Sequence, residues 1–135
     1  MTAPGSRAPA LGLADTSLFI AMEHARDLIG EPPDRVAVSA ITIGELFLGV
    51  LAASDGPTRA RRLATLTEAH ALRPLPVDAA VAAEWAALRL ALRDADRRMP
   101  LNDSWIAATA IAHRVPVVSQ DADYDSVPGL DVIRV

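Results

Sequence analysis

The feature that most restricts how this chain can fold is a recurring order: a short apolar run, a polar break, then a helix. Ala10-Leu11-Gly12-Leu13-Ala14 runs into Asp15-Thr16-Ser17, Arg35-Val36-Ala37-Val38-Ser39 runs into the helix that carries Glu45, and Val115-Pro116-Val117-Val118-Ser119 runs into Gln120-Asp121. Runs of this length, rich in Val and Leu and bounded by turn residues, read as strands buried on both faces. Buried strands alternating with capped helices predict an α/β domain with a central, mostly parallel sheet between two helical layers.

The remaining elements follow from local chemistry. Thr16 or Ser17 is expected to cap the helix that begins at Leu18, and Glu31-Pro32-Pro33-Asp34 forms a turn. Ile41 to Ala53 is apolar on every side and is expected to be a buried helix, followed by a break at Asp55-Gly56-Pro57 and a helix over 58–71 with Leu63, Leu66 and His70 on one stripe. Leu72 to Val77 carries two prolines and can be only a marginal or edge strand. Asp78 caps a long helix to about Asp96, with Val81, Trp85, Leu88 and Leu92 inward. Asn102 is expected to cap a further apolar helix, and Leu130 to Val135 closes the chain as an edge-type strand. Residues 1–9, rich in Pro, Gly and Ser, are expected to be a disordered tail, leaving 10–135 as a single domain.

Composition narrows the chemistry. The 135 residues include no cysteine, which removes disulfides, thiolate metal sites and Cys nucleophiles and fits a cytoplasmic protein. His24, His70 and His113 are scattered without metal-ligand spacing. All 13 basic residues are arginine, so a phosphate loop with its lysine and Schiff-base chemistry are both excluded. A net charge of −4 argues against a protein that coats nucleic acid, and no apolar run is long enough to span a membrane.

Four acids stand in odd places. Asp15 and Asp121 lie just beyond strands, Asp103 opens an apolar helix, and Glu45 interrupts another with Ile41, Thr42, Leu48 and Gly49 as helical neighbours. A carboxylate buried without a partner costs several kcal/mol, so Glu45 must be paired, protonated or metal-bound. In a parallel sheet the strands' carboxyl ends form one ligand-binding rim, and right-handed crossovers bring all four acids toward it. Oxygen-only ligands suit Mg²⁺ or Mn²⁺, one or two ions, and such sites favour phosphodiester hydrolysis by activated water.

The chain resembles PIN-domain proteins, and among them the VapC toxins of bacterial toxin–antitoxin pairs. The resemblance rests on Leu13-Ala14-Asp15-Thr16-Ser17, on Ser39-Ala40-Ile41-Thr42-Ile43-Gly44-Glu45-Leu46, on Leu101-Asn102-Asp103 with Ile106-Ala107-Ala108, and on Val118-Ser119-Gln120-Asp121-Ala122-Asp123-Tyr124. It implies a PIN-like α/β/α fold and a metal-dependent endoribonuclease in which Asp15, Glu45, Asp103 and Asp121 are catalytic. Asp15, Asp103 and Asp121 would be the metal ligands, with Glu45 and Asp123 secondary. Asp121, Asp123 and Asp125 recur at every second residue, and Asp121 fits the Ser-x-Asp pattern, with Asp123 next. Thr16, Ser17, Asn102 and Ser119 would support the ligands by hydrogen bonds.

The resemblance further implies an RNA substrate cut to a 5′-phosphate and a 3′-hydroxyl, a homodimer, and a VapB-type antitoxin whose extended segment fills the groove in a hetero-oligomer. Arg59, Arg61, Arg62 and the group from Arg89 through Arg93, Arg97 and Arg98 are candidate RNA contacts. The rival expectation is a PIN-fold binding module with little or no catalysis. A phosphatase or phosphoryl receiver using Asp15 as nucleophile is disfavoured by the absence of lysine.

Overall fold

A computed structural model describes residues 10–135; the stretch 1–9, expected to be disordered, lies outside the described residues. Four strands, β1 (Leu11–Ala14), β2 (Arg35–Ala37), β3 (Val117–Ser119) and β4 (Val132–Arg134), form one sheet in the order β2-β1-β3-β4. Every pairing is parallel. Side chains alternate across the pleat, so Leu13 and Val117 face one core while Ala14 and Val118 face the other. The helices α4 (Ala79–Asp94) and α5 (Leu101–His113) cover the first face through Leu88, Leu92, Ile106 and Ala110. The second face is covered by α1 (Thr16–Glu23), α2 (Ala40–Leu51) and α3 (Gly56–His70) through Leu18, Phe19, Leu46, Val50, Leu66 and Ala69. The expected three-layer α/β/α arrangement is therefore the observed one.

β1 sits between β2 and β3, so the chain leaves it first to one side and later returns on the other. That reversal is a topological switch point, where a crevice opens outside the carboxyl ends of the strands. Gly12 permits the close approach of β3 there: a Cβ on it would lie 2.5 Å from Val118 Cγ2 and 3.2 Å from Pro33.

Several local expectations need correction. The cap of α1 is Asp15, not Thr16 or Ser17: its extended backbone lets its own carboxylate accept from Leu18 N. α5 begins at Leu101 with Pro100 in the cap position and no side-chain cap, so Asn102 lies inside the first turn. The proline ring fixes an extended entry, and Pro100 O accepts the first helical bond, from Ser104 N, with no side-chain cap. In α3 the buried stripe is Thr65, Leu66 and Ala69, while Leu63 and His70 face outward. The segment 72–77, by contrast, is as marginal as its prolines predict, making a single bridge, Leu75 to Ser39. α2 is not buried all round: Thr42, Leu46 and Val50 point inward, but Phe47, Leu48 and Leu51 are 50%, 67% and 73% exposed. Apolar composition marked that face for burial, and nothing within the described residues covers it.

Candidate metal centre

The crevice is built from the ends of β1 and β3 and the start of α5. Asp15 is almost wholly buried, and both its oxygens accept hydrogen bonds. Oδ1 accepts from Ser17 Oγ at 2.7 Å and from Leu18 N at 3.2 Å, and Oδ2 accepts from Ser119 Oγ at 2.7 Å. Each serine passes the link onward: Ser119 Oγ accepts from Asp121 N at 2.8 Å, and Ser17 Oγ accepts from Gln120 N at 3.0 Å. One buried carboxylate thus fixes the backbone on which Asp121 and Asp123 are carried. Burial pushes the Asp15 carboxyl above its ordinary range; the bonds from Ser119, Ser17 and Leu18 oppose this, and the nearby Asp121 charge reinforces it.

Opposite this anchor, Asp103, Asp121 and Asp123 each present a carboxylate oxygen within 4.8 Å of the others. Asp103 is half-buried on the first turn of α5, and the two partners stand exposed on the loop after β3, where a 3-10 turn spans Ala122–Tyr124. Asp103 is pushed up to about 7, first by burial, then by a hydrogen bond with the Asp123 carboxyl and by the charges of Asp123 and Asp121. Among the described residues no arginine or histidine forms an ion pair with any of the three. Three oxygen donors whose mutual repulsion a shared proton relieves only in part are what a hard divalent cation would neutralise. The residues present fit such an ion.

Tyr124 completes the site, and its role was invisible in the sequence because it depends on a contact between α5 and the following loop. Fully buried, it donates its hydroxyl to Asp103 Oδ1 at 3.2 Å. Its phenol is held far above its ordinary range by burial first, then by the charges of Asp15 and Asp103 and by that hydrogen bond, with Glu45 adding to the effect. It therefore remains a hydrogen-bond donor at all physiological pH values.

Glu45 is half-buried and accepts from Thr16 Oγ1 at 2.7 Å, and Thr16 Oγ1 lies 3.2 Å from Thr42 Oγ1. Its partner is a hydroxyl, not an arginine. Asp125 stands apart from the trio, paired with Arg134 at 2.9 Å. Asn102 is exposed beside the site and caps nothing. α5 is held rigidly where it carries Asp103: Trp85 of α4 stacks on Trp105 with ring centroids 4.3 Å apart and donates Nε1 to Ser104 Oγ at 3.0 Å. The first arginine group does structural work. Arg59 and Arg62 donate to Ala53 O and Gly49 O at the end of α2, and Arg61 pairs with Glu23 at 3.6 Å.

Residues 13–130 match the family model described as PIN domain. The chain belongs to the PIN-domain family. It is 48% identical over 128 residues to Ribonuclease VapC4 of Mycobacterium tuberculosis, covering 91% of this chain and 95% of that protein. Against Ribonuclease VapC5 of the same organism it is 46% identical over 134 residues, covering 96% and 99%. The crystal structure of VapBC-5 from Mycobacterium tuberculosis, a member of the VapBC family of toxin–antitoxin systems, superposes with a TM-score of 0.82 at 46% identity, covering 94% of this chain and 100% of that one. Within this PIN domain the acidic crevice lies at the switch point of the sheet, and among the described residues no helix is long and apolar enough to cross a membrane.

Proposed function

We propose that this PIN domain is a Mg²⁺- or Mn²⁺-dependent endoribonuclease and the toxin of a toxin–antitoxin pair acting in the cytoplasm. The observation that carries the reading is the trio Asp103, Asp121 and Asp123, three carboxylates gathered within 4.8 Å and, among the described residues, ion-paired with no arginine or histidine. The relatives bearing the name Ribonuclease VapC support the choice of RNA.

In this reading the trio holds the ion or ions, Asp15 and Ser119 keep Asp121 in place, and Tyr124 orients Asp103. A divalent ion held there would lower the pKa of a water and offset the charge that builds on the phosphoryl oxygens. Glu45 has one oxygen taken by Thr16 and keeps the other for a water or an outgoing proton. The water oxygen would bond to phosphorus as it gives up a proton, the P–O3′ bond would break with its electron pair going to O3′, and O3′ would take a proton, giving a 5′-phosphate and a 3′-hydroxyl.

The exposed apolar residues Phe47, Leu48 and Leu51 of α2, with Ile20 and Met22 of α1, support the expectation of a VapB-type antitoxin and of a homodimer, since each needs such a face. VapBC-5 is a solved toxin–antitoxin system and supports the same assignment.

The experiment is RNA cleavage by the full chain with Mg²⁺, with chelator, and with Asp103→Asn. Cleavage that chelator abolishes and that Asp103→Asn lowers by at least about a hundredfold is expected, as when a transition-state charge stabiliser is removed. Undiminished cleavage by Asp103→Asn, or no cleavage by the wild-type chain, refutes the reading in favour of a binding module.

A further inference from the structure

The second arginine group behaves differently from the first. α4 ends in a tight reversal: Asp96 adopts the left-handed conformation (φ 51°), its N–H donates to Arg93 O, and Arg97 N donates to Leu92 O at 2.8 Å. This Schellman arrangement satisfies the last carbonyls of the helix and folds the chain back over its end. Arg97 and Arg98 are thereby brought beside Arg89 and Arg93, at the negative end of the helix dipole, where positive charge is stabilised. The four guanidinium groups, with Leu92, Asp96 and Met99, line a cleft of about 420 Å³.

Their partners leave most of that charge free. Arg93 makes one long, largely solvent-exposed contact with Asp94 at 3.6 Å, and among the described residues Arg89, Arg97 and Arg98 form no ion pair. Two of the four are nevertheless fixed in direction. Arg89 lies over the Trp85 ring, 5.6 Å from its centroid, and Arg97 donates to Asp123 O at 3.3 Å. The latter bond joins the cleft to the loop that carries two of the three clustered carboxylates. A chain with net charge −4 thus keeps a local positive recess directly beside its most acidic crevice.

We propose that this cleft is a track for the phosphate backbone of single-stranded RNA, seating the phosphates that flank the bond to be cut; the proposal rests on the nuclease reading above. Guanidinium forks match phosphate oxygens in pairs, and a positive groove that follows the backbone is the usual way a flexible single strand is held without reading its sequence. The track also offsets repulsion between the strand and the acids, because the phosphates next to the cut site meet arginines before they meet aspartates.

The test is fluorescence anisotropy with a labelled oligouridylate, in chelator and on an Asp103→Asn background, so that binding is read without cleavage. Affinity is followed from low to high salt. Each arginine that neutralises a phosphate contributes about 0.7 to the slope of log K against log salt for a single strand. Arg89→Gln with Arg98→Gln, both exposed and outside the carboxylate cluster, is expected to lower the slope by about 1.4 and to weaken binding most at low salt. Arg89→Lys with Arg98→Lys, which keeps both charges, is expected to retain the slope. An unchanged slope in the glutamine variant, or an equal loss in the lysine variant, overturns the track. Cleavage of the same oligomer by the otherwise wild-type chain is measured in parallel. Its absence removes the nuclease reading by itself, whereas intact cleavage with an unchanged slope removes only the track.

Discussion

Asp103 and Asp15 are both held above the usual carboxylate range, yet they answer the same burial in opposite ways. Asp15 is compensated by two hydroxyls and a backbone N–H, and it serves as an anchor. Asp103 has Tyr124 as its one neutral donor and otherwise faces other carboxyls, one of which shares a hydrogen bond with it. In the metal-free chain Asp103 keeps its proton up to about pH 7, whereas the unfolded chain releases it near its ordinary value of 3.8. Across that window the folded state binds more protons, so its contribution to stability falls as pH rises. Asp103→Asn cannot ionise and escapes this loss. Its gain in Tm over the wild type, measured by thermal melts in chelator, is expected to grow from pH 4 to pH 7 and to level off above. A gain that does not vary with pH contradicts the assignment. The sequence pointed to Asp103 because a carboxylate headed an apolar helix face. Tyr124 carried no such signal, since a lone tyrosine after a strand is indistinguishable from a core residue until α5 is docked against it.

Helix starts show what local sequence can and cannot decide. Ser39, Asp55 and Asp78 cap α2, α3 and α4 through side-chain acceptance from Thr42, Thr58 and Val81 N–H groups. Asp78 was legible as a cap because an apolar helical pattern begins directly after it. At α1 three consecutive residues, Asp15, Thr16 and Ser17, are all good caps, and only burial at the end of β1 selects the first. At α5 the proline governs the entry, so the good cap residue Asn102 goes unused. Asp78→Ala is therefore expected to cost about 1 kcal/mol in urea unfolding. Asn102→Ala is expected to stay within about 0.5 kcal/mol, as for an exposed residue without a structural role. Equal losses at the two positions would contradict the capping assignments. The outward face of α2 was misjudged for a related reason: apolar residues report that burial is wanted, not which molecule supplies it.

At the scale of the whole molecule, the layer order and the parallel sheet were readable because strand and helix patterns alternate cleanly along the chain. The expectation that Asp15, Glu45, Asp103 and Asp121 approach one rim followed from that, since a parallel sheet has one carboxyl rim. The division of labour among those acids was not. It depends on the separation between α5 and the loop after β3, which groups Asp103 with Asp121 and Asp123 and leaves Asp15 and Glu45 bonded to hydroxyls. Rigidity follows from the same packing. The indole stack ties α4 to α5, the Asp15–serine network ties β1 to the loop after β3, and the carboxylates are therefore placed before any ion arrives.

The central claim, that Asp103, Asp121 and Asp123 together hold a divalent cation, is tested most directly by calorimetric titration of Mn²⁺ into the full chain at pH 8. The wild type is expected to bind, Asp103→Asn and Asp123→Asn each to lose roughly tenfold or more in affinity, and Asp125→Asn, outside the trio, to bind as the wild type does. No binding by the wild type, or equal binding by all four proteins, would contradict the account.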